Sequence, residues 1–231
     1  HYFQRPDDDI FVDSSLTSLD GMGSEISLTK ISGKNVKGSL TFGQSSPGYD
    51  LNELGYMRSA NLKKFNSSIE YEDFVPKKYW QVLSLSVGTW QDWDYAWDYG
   101  SSGMNSDMWI RFHNWHTMSF EFGKSFGGIR RNLTRGGPVA KSPTFYRYVI
   151  AYRTDRRKNI NAFIRFGNRD AVDGEYDKSI RTGINFRPNP QWEIDLDVFN
   201  NKEFDTDQYV TTISDPIATD TYGSRYIFTD I

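Results

Sequence analysis

Apolar and polar residues alternate with a period of two along much of the chain, most clearly between residues 145 and 199. In residues 145–154, Tyr146, Tyr148, Ile150 and Tyr152 fall on one side, and Arg147, Val149, Ala151 and Arg153 on the other. Residues 160–167 set Ile160, Ala162, Ile164 and Phe166 against Asn161, Phe163 and Arg165. Residues 179–187 set Ile180, Thr182, Ile184 and Phe186 against Ser179, Arg181, Gly183, Asn185 and Arg187. Residues 192–199 set Trp192, Ile194, Leu196 and Val198 against Glu193, Asp195 and Asp197. Successive strand side chains point to opposite faces, so these segments predict amphipathic strands. Residues 155–159 and 187–191 are short and rich in turn formers, which makes the strands an antiparallel meander.

A register follows if Phe186 faces Trp192. Ile184 then faces Ile194, Thr182 faces Leu196 and Ile180 faces Val198. On the polar side Asn185 meets Glu193 and Arg181 meets Asp197. Opposed charges across a strand pair contribute about 0.2–1 kcal/mol, and a one-residue slip would invert both faces.

Further hairpins are predicted around residues 32–35 (strands 24–31 and 36–42) and 75–79 (strands 65–74 and 80–91). Residues 107–123 read as one long strand with Met108, Ile110, Phe112, Met118, Phe120 and Phe122 on a face, interrupted by Asn114 and His116. Residues 225–231 read as a further strand. Residues 43–64, 92–106, 124–144, 168–178 and 200–222 read as longer polar loops. Short turns on one side and long loops on the other suit an outer-membrane barrel. Counting one crossing per strand puts turns 75–79 and 155–159 on opposite sides, so one segment is miscounted; 124–144 is the segment expected to hide a crossing.

Amphipathic strands suit a soluble sandwich or a membrane barrel. In a sandwich the apolar face meets a second sheet; in a barrel it meets lipid and the polar face lines an interior. Three features favour the barrel. Polar faces carry arginines together with acids, Tyr152, Phe186 and Trp192 sit near turn ends where an interfacial girdle would lie, and the strands have about the 9–11 residues a crossing needs. The aromatic fraction, 16%, fits either fold. No window approaches the about 20 apolar residues of a membrane helix. The chain has no cysteine, which removes disulfide frameworks and thiolate sites. Its net charge of −3 offers no basic field for nucleic acid.

Several short motifs occur in order: residues 17–21 (TSLDG), 30–34 (KISGK), 46–61 (SPGYDLNELGYMRSAN), 132–138 (NLTRGGP) and the Ser142-Pro143 pair. Together they resemble a family of uncharacterised Gram-negative, Bacteroidetes-type envelope proteins. Its members join an N-terminal carbohydrate-binding-module-family-9-like domain to a C-terminal outer-membrane barrel-like domain of unknown function. The likeness is collinear from about residue 2 to 200 and concerns the barrel part. The family's usual Asn-Asp-Leu-Gly stands here as Asn52-Glu53-Leu54-Gly55, and its usual Asp after Arg-x-Ala as Asn61. The resemblance implies a bacterial outer-membrane location; the sugar-binding role of the N-terminal domain is not carried over.

Candidate chemistry is sparse. Residues 90–100 alternate Trp93, Tyr95, Trp97 and Tyr99 with Asp92, Asp94 and Asp98, and Trp93, Asp94, Tyr95 and Trp97 could stack on and hydrogen-bond to a glycan. The competing reading is an interfacial girdle running into a loop. Arg135, Gly136, Gly137 and Pro138 lack the lysine and spacing of a phosphate loop and suit a tight turn packed closely against other backbone. Arg147, Arg165, Arg181 and Arg187, with Glu193, Asp195 and Asp197, are expected to face the lumen, setting a field or pairing with one another. Asp7, Asp8, Asp9 and Asp13 lack EF-hand spacing and read as a solvated acidic loop. His113 and His116 fall on opposite faces of the expected strand, so they form no paired zinc site there. No metal site, cofactor or catalytic signature is expected.

The sequence therefore predicts an all-β chain, an antiparallel meander forming part of a transmembrane outer-membrane β-barrel. Residues 1–231 belong to one barrel domain of a longer protein. Its expected partners are outer-membrane lipid, a glycan ligand and other envelope proteins, with no nucleic acid; its expected roles are uptake or complex assembly. The alternative is a soluble β-sandwich that binds glycans through residues 90–100.

Overall fold

The computed structural model describes residues 13, 15, 17, 18, 20–50, 60–131 and 133–231. Residues Asp7–Asp9 of the acidic segment lie outside them; Asp13 is described, and its Oδ1 accepts the Ser15 N–H at 2.8 Å.

The fold is an all-β antiparallel meander. Its strands are β1 (Gly23–Lys30), β2 (Val36–Ser45), β3 (Leu62–Asp73), β4 (Val82–Trp93), β5 (Tyr99–Arg111) and β6 (Thr117–Arg130). After the short β7 (Ala140–Ser142) come β8 (Phe145–Arg153), β9 (Ile160–Ala171), β10 (Tyr176–Asn189) and β11 (Trp192–Phe204). They hydrogen-bond in chain order from β1 to β11, with β7 beside β6. A separate hairpin, β12 (Gln208–Ser214) and β13 (Ser224–Thr229), follows, with a single 3-10 turn at Thr219–Thr221. Among the described elements, close strand contacts run only between hydrogen-bonded neighbours.

Residues 107–123, expected to be one strand, are a hairpin. The turn between β5 and β6 is closed by Phe112 N–H donating to the His116 carbonyl at 2.9 Å, with Trp115 in the left-handed region at φ 65°. Alternation could not reveal this turn. Met108 faces Phe120 and Ile110 faces Met118, so the apolar positions keep the same even numbering on both sides of it. The miscounted crossing therefore lies here and not in 124–144. Once it is split, turns 74–81 and 154–159 fall at the same end of the sheet. Much of the expected loop 92–106 belongs to β5, and 168–178 reduces to a turn at 172–175 between β9 and β10.

The predicted register of β10 on β11 is off by two. Phe186 faces Ile194, Ile184 faces Leu196 and Thr182 faces Val198. Asn189 faces Trp192 across a tight turn at Pro190 and Gln191, and a one-residue bulge between Phe186 and Asn189 then sets Phe186 opposite Ile194. A two-residue shift preserves the faces. The foreseen polar partners thus become diagonal, yet Arg181 still reaches Asp197 and Asn185 still reaches Glu193.

Candidate functional site

Directly opposed residues share a face, so the registers trace rows across the sheet. One row runs Tyr71, Leu85, Met108, Phe120, Ile150, Phe166 and Ile180, from β3 to β10. The row one residue away, on the opposite face, runs Glu70, Ser86, Asp107, Glu121, Val149, Gly167 and Ser179. Tyr71, Leu85, Ile150, Phe166 and Ile180 are exposed, whereas Val149 and Gly167 are buried and the other members of the second row are half-buried. Along these two rows the apolar side chains are thus the more exposed ones. Among the described residues the buried apolar side chains are Ala60, Val82 and Val149. The buried polar ones include Asn61, Lys63, Asp155, Asn161, Asn168 and Glu175.

The predicted lumen charges share one face of the sheet and pair there. Glu121 takes Arg147 at 3.3 Å on one oxygen and Arg165 at 3.3 Å on the other. The Arg181 Nε donates to both Asp197 oxygens at 3.0 and 3.1 Å. Arg187 reaches Glu193 from the bulge at 2.7 Å, and Asn185 donates to Glu193 at 2.6 Å and Asp195 at 2.7 Å. Pairs with this much exposure contribute about 0–1 kcal/mol each. Their larger effect is to cancel charge along the face.

Residues 90–100 form the β4–β5 hairpin end. Asp94 accepts the Asp98 N–H through Oδ1 at 2.8 Å, and Trp97 takes the left-handed conformation at φ 75°. Trp97 stacks on Phe42 at 6.1 Å and meets the Trp93 ring edge-on at 5.5 Å. Lys63 donates to the Tyr95 carbonyl at 2.6 Å and lies 4.1 Å from the Trp97 ring centre and 4.6 Å from that of Tyr95. Asn61 accepts the Tyr95 N–H at 2.9 Å. The aromatic surfaces foreseen as a glycan platform are therefore partly occupied by the protein itself, with Trp97 still 56% exposed.

Residues 134–138 form a compact turn. Thr134 donates its hydroxyl to the Pro138 carbonyl at 2.7 Å, and Arg135 and Gly136 have positive φ, 52° and 103°. Arg135 lies over the Tyr209 ring at 4.5 Å. A Cβ on Gly137 would sit 2.1 Å from the Tyr226 hydroxyl. The close packing foreseen for the glycines is thus against a side chain of the β12–β13 hairpin.

Sequence reasoning missed one polar node, because its members come from distant segments with no shared spacing. Buried Glu175, in the turn after β9, accepts both oxygens' worth of contact from Arg130 at 2.9 Å and a contact from Arg169 at 3.3 Å. Arg130 also reaches Asp207 at 3.2 Å. Burial pushes the Asp207 carboxyl above its ordinary value against the pull of Arg130, and Glu175, Asp173 and Asp205 add like charge. Asp173, Glu175 and Asp207 are close enough to share a cation, but two guanidinium groups already supply the positive charge. The node ties β6, the β9–β10 turn and the β11–β12 link together. His113 and His116 lie in the β5–β6 turn and not on a strand. One ring meets the Lys77 carbonyl at 2.6 Å and the other the Tyr152 hydroxyl.

The class these features define is an all-β antiparallel meander with its apolar side chains on one face and its charges paired on the other. A family model described as a domain of unknown function, DUF5916, matches residues 10–229, and the chain belongs to that family. Comparisons with curated proteins and with solved structures returned no match.

Proposed function

We propose that the chain forms part of an integral outer-membrane β-barrel, with the exposed apolar rows against lipid and the arginine–carboxylate face toward an interior. The observation that carries this reading is the apolar row from Tyr71 to Ile180, which spans seven strands and is exposed on five of them, while the alternate residues are half-buried or buried. Contiguous apolar patches on soluble monomers seldom exceed about 300–600 Å². Here the row of large side chains is continued at its flank by Leu83, Ile110, Met118, Tyr152 and Ile164, so that the apolar surface runs unbroken over several strands. Lipid removes the cost of leaving it uncovered. Strands of 12 to 14 residues such as β3, β6 and β10 are long enough to cross a bilayer, which needs about 9–11 tilted residues. Uptake or assembly of an envelope complex fits such a body.

The test is fractionation of the protein in its native Gram-negative envelope, with electrophoresis before and after boiling. The barrel reading expects recovery in the outer membrane and faster migration of the unboiled band. Recovery in the aqueous phase without detergent overturns it. The soluble glycan-binding reading expects instead a detergent-free protein whose tryptophan fluorescence responds to glycans and loses that response on Trp93→Ala or Trp97→Ala.

A further inference from the structure

The four arginines foreseen on the polar face, Arg147, Arg165, Arg181 and Arg187, all have a carboxylate partner. Arg153 shares that face, since it stands opposite Phe163, and among the described residues it makes no ion pair. Its guanidinium rests instead over the Phe163 ring at 4.6 Å. The same ring faces Arg181 at 5.8 Å, so one aromatic side chain lies between two cations. Gly183 makes this possible: a Cβ there would lie 2.5 Å from the Phe163 ring. The ring therefore lies down over the β10 backbone and holds Arg153 in place.

Around this group the polar face is hollowed. A depression of about 430 Å³ is bounded by Trp109, Ser119, Arg153, Arg165, Arg181 and Asp197. A second, of about 420 Å³, adjoins it and shares Arg153, Phe163 and Asp197. The first hollow's three arginines, Arg153, Arg165 and Arg181, are met by Glu121 and Asp197 alone among the described residues, an excess of one positive charge, and Glu121 is shared with Arg147. A half-buried guanidinium prefers a planar oxyanion to an aromatic ring alone, because two parallel N–H···O bonds add to the charge attraction.

We infer that the hollow between Arg153, Arg165 and Arg181 binds the oxyanion group, carboxylate or phosphate, of a small ligand, with Arg153 as its principal partner. Trp109 and Phe163 supply apolar wall for the body of the ligand, and Ser119 a hydroxyl. Binding of this kind concerns the polar face alone and holds whether or not the apolar face meets lipid.

The experiment is calorimetric titration of the full chain in detergent micelles, at low salt, with inorganic phosphate, glucuronate and glucose. Saturable binding of phosphate or glucuronate, but not of glucose, is expected; glucuronate alone assigns the site to acidic sugars, and both together to oxyanions in general. Arg153→Gln should weaken binding about tenfold or more, the loss expected for a charged hydrogen-bonding partner. Arg225→Gln, which alters an arginine outside the hollow, should bind as the unaltered protein does. Asp197→Asn frees Arg181 and should tighten binding severalfold, which keeps the test decisive if Arg153→Gln fails to fold. Equal binding of glucose, no binding of either anion, or anion affinity unchanged in both Arg153→Gln and Asp197→Asn overturns the assignment. Since every arm is read in micelles, failure here leaves the membrane reading standing, and failed fractionation leaves this one standing.

Discussion

Neighbouring residues of one strand show how differently the two faces of the sheet are built. Ile150 is 40% exposed, whereas Val149, one residue earlier in β8, is 2% exposed. The contrast extends sideways through the registers, from Tyr71 to Ile180 on one face and from Glu70 to Ser179 on the other. Burial therefore follows the parity of position and not hydropathy. On the enclosed face, order comes from directional contacts: Glu121 between two arginines, Asn161 donating to Asn185 at 3.0 Å, Ser86 donating to Asp107 at 3.2 Å. On the apolar face, Tyr71, Leu85, Ile150, Phe166 and Ile180 are exposed, and in the proposed barrel their environment comes from outside the sheet. A polar face can thus be organised internally while the apolar one is completed by its surroundings.

The largest effect should come from the most enclosed charge. Glu175→Ala strips the buried partner from Arg130 and Arg169, and breaking a buried pair by removing one member costs about 3–5 kcal/mol. Denaturant unfolding of the micellar protein should show a loss of that size. A change below about 1 kcal/mol would mean that the enclosed face is wet and its pairs are of the weak surface kind.

Ile150→Arg addresses the other face. At the middle of a lipid-facing strand an arginine costs about 2–4 kcal/mol. On a water-facing surface a substitution usually stays within about 0.5 kcal/mol. Refolding into liposomes, followed by urea titration, distinguishes these values. Stability unaltered by Ile150→Arg would remove the lipid from the comparison and leave the apolar row without its proposed environment.

Gly137→Ala leaves both faces as they are and attacks the attachment of the β12–β13 hairpin. The new Cβ would lie 2.1 Å from the Tyr226 hydroxyl and 2.2 Å from its ring carbon, contacts that force one of the two segments to move. Overpacking of this kind costs about 1–3 kcal/mol. Limited proteolysis should cut sooner in residues 205–231, with the β3–β10 fragment unaffected. Combining it with Tyr226→Ala should restore resistance; if it does not, the close approach is not what holds the hairpin.

Strands β8 to β11 were legible because each alternates strictly and ends at Pro, Asn, Asp or a charge cluster. Both faces could be assigned there residue by residue, including Arg147, Arg165, Arg181 and Arg187, each of which has a carboxylate partner. The β10–β11 register was not, because a two-residue turn at Pro190 and Gln191 followed by a one-residue bulge between Phe186 and Asn189 sets the pairing two residues from the expected one, with the faces unchanged. The first half of β5 was hidden for another reason. Gly100, Ser101, Ser102 and Gly103 carry no hydropathic signal, yet their small size is required: a Cβ on Gly103 would lie 2.7 Å from the Trp90 ring. The Glu175 node was illegible, since Arg130, Arg169 and Asp207 meet it only after the meander has folded. Aromatic alternation at residues 90–100 was plain, but nothing in the spacing foretold that Lys63 and Phe42, from two other strands, would cover Trp97.

The smallest effect lies at the turn end, where neither face governs. Arg157 donates to Asp155 from Nε at 2.9 Å, from Nη2 at 2.8 Å and from its backbone N–H at 3.0 Å. Those side-chain hydrogen bonds hold the Asp155 carboxyl at about 2, below its ordinary 3.8, although desolvation acts the other way. A depressed value in the folded state means that the unfolded chain takes up the proton first as pH falls. The stabilisation is therefore complete above about 4 and disappears as pH falls toward 2. Melting measured from pH 6 to pH 2 should show the unaltered protein losing its advantage over Asp155→Asn across that lower window. The guanidinium also rests over Trp115 at 3.7 Å, so the turn keeps an anchor after protonation and the loss should stay modest. A difference between the two proteins that stays constant over the whole range would show that Asp155 holds this turn by geometry and not by charge.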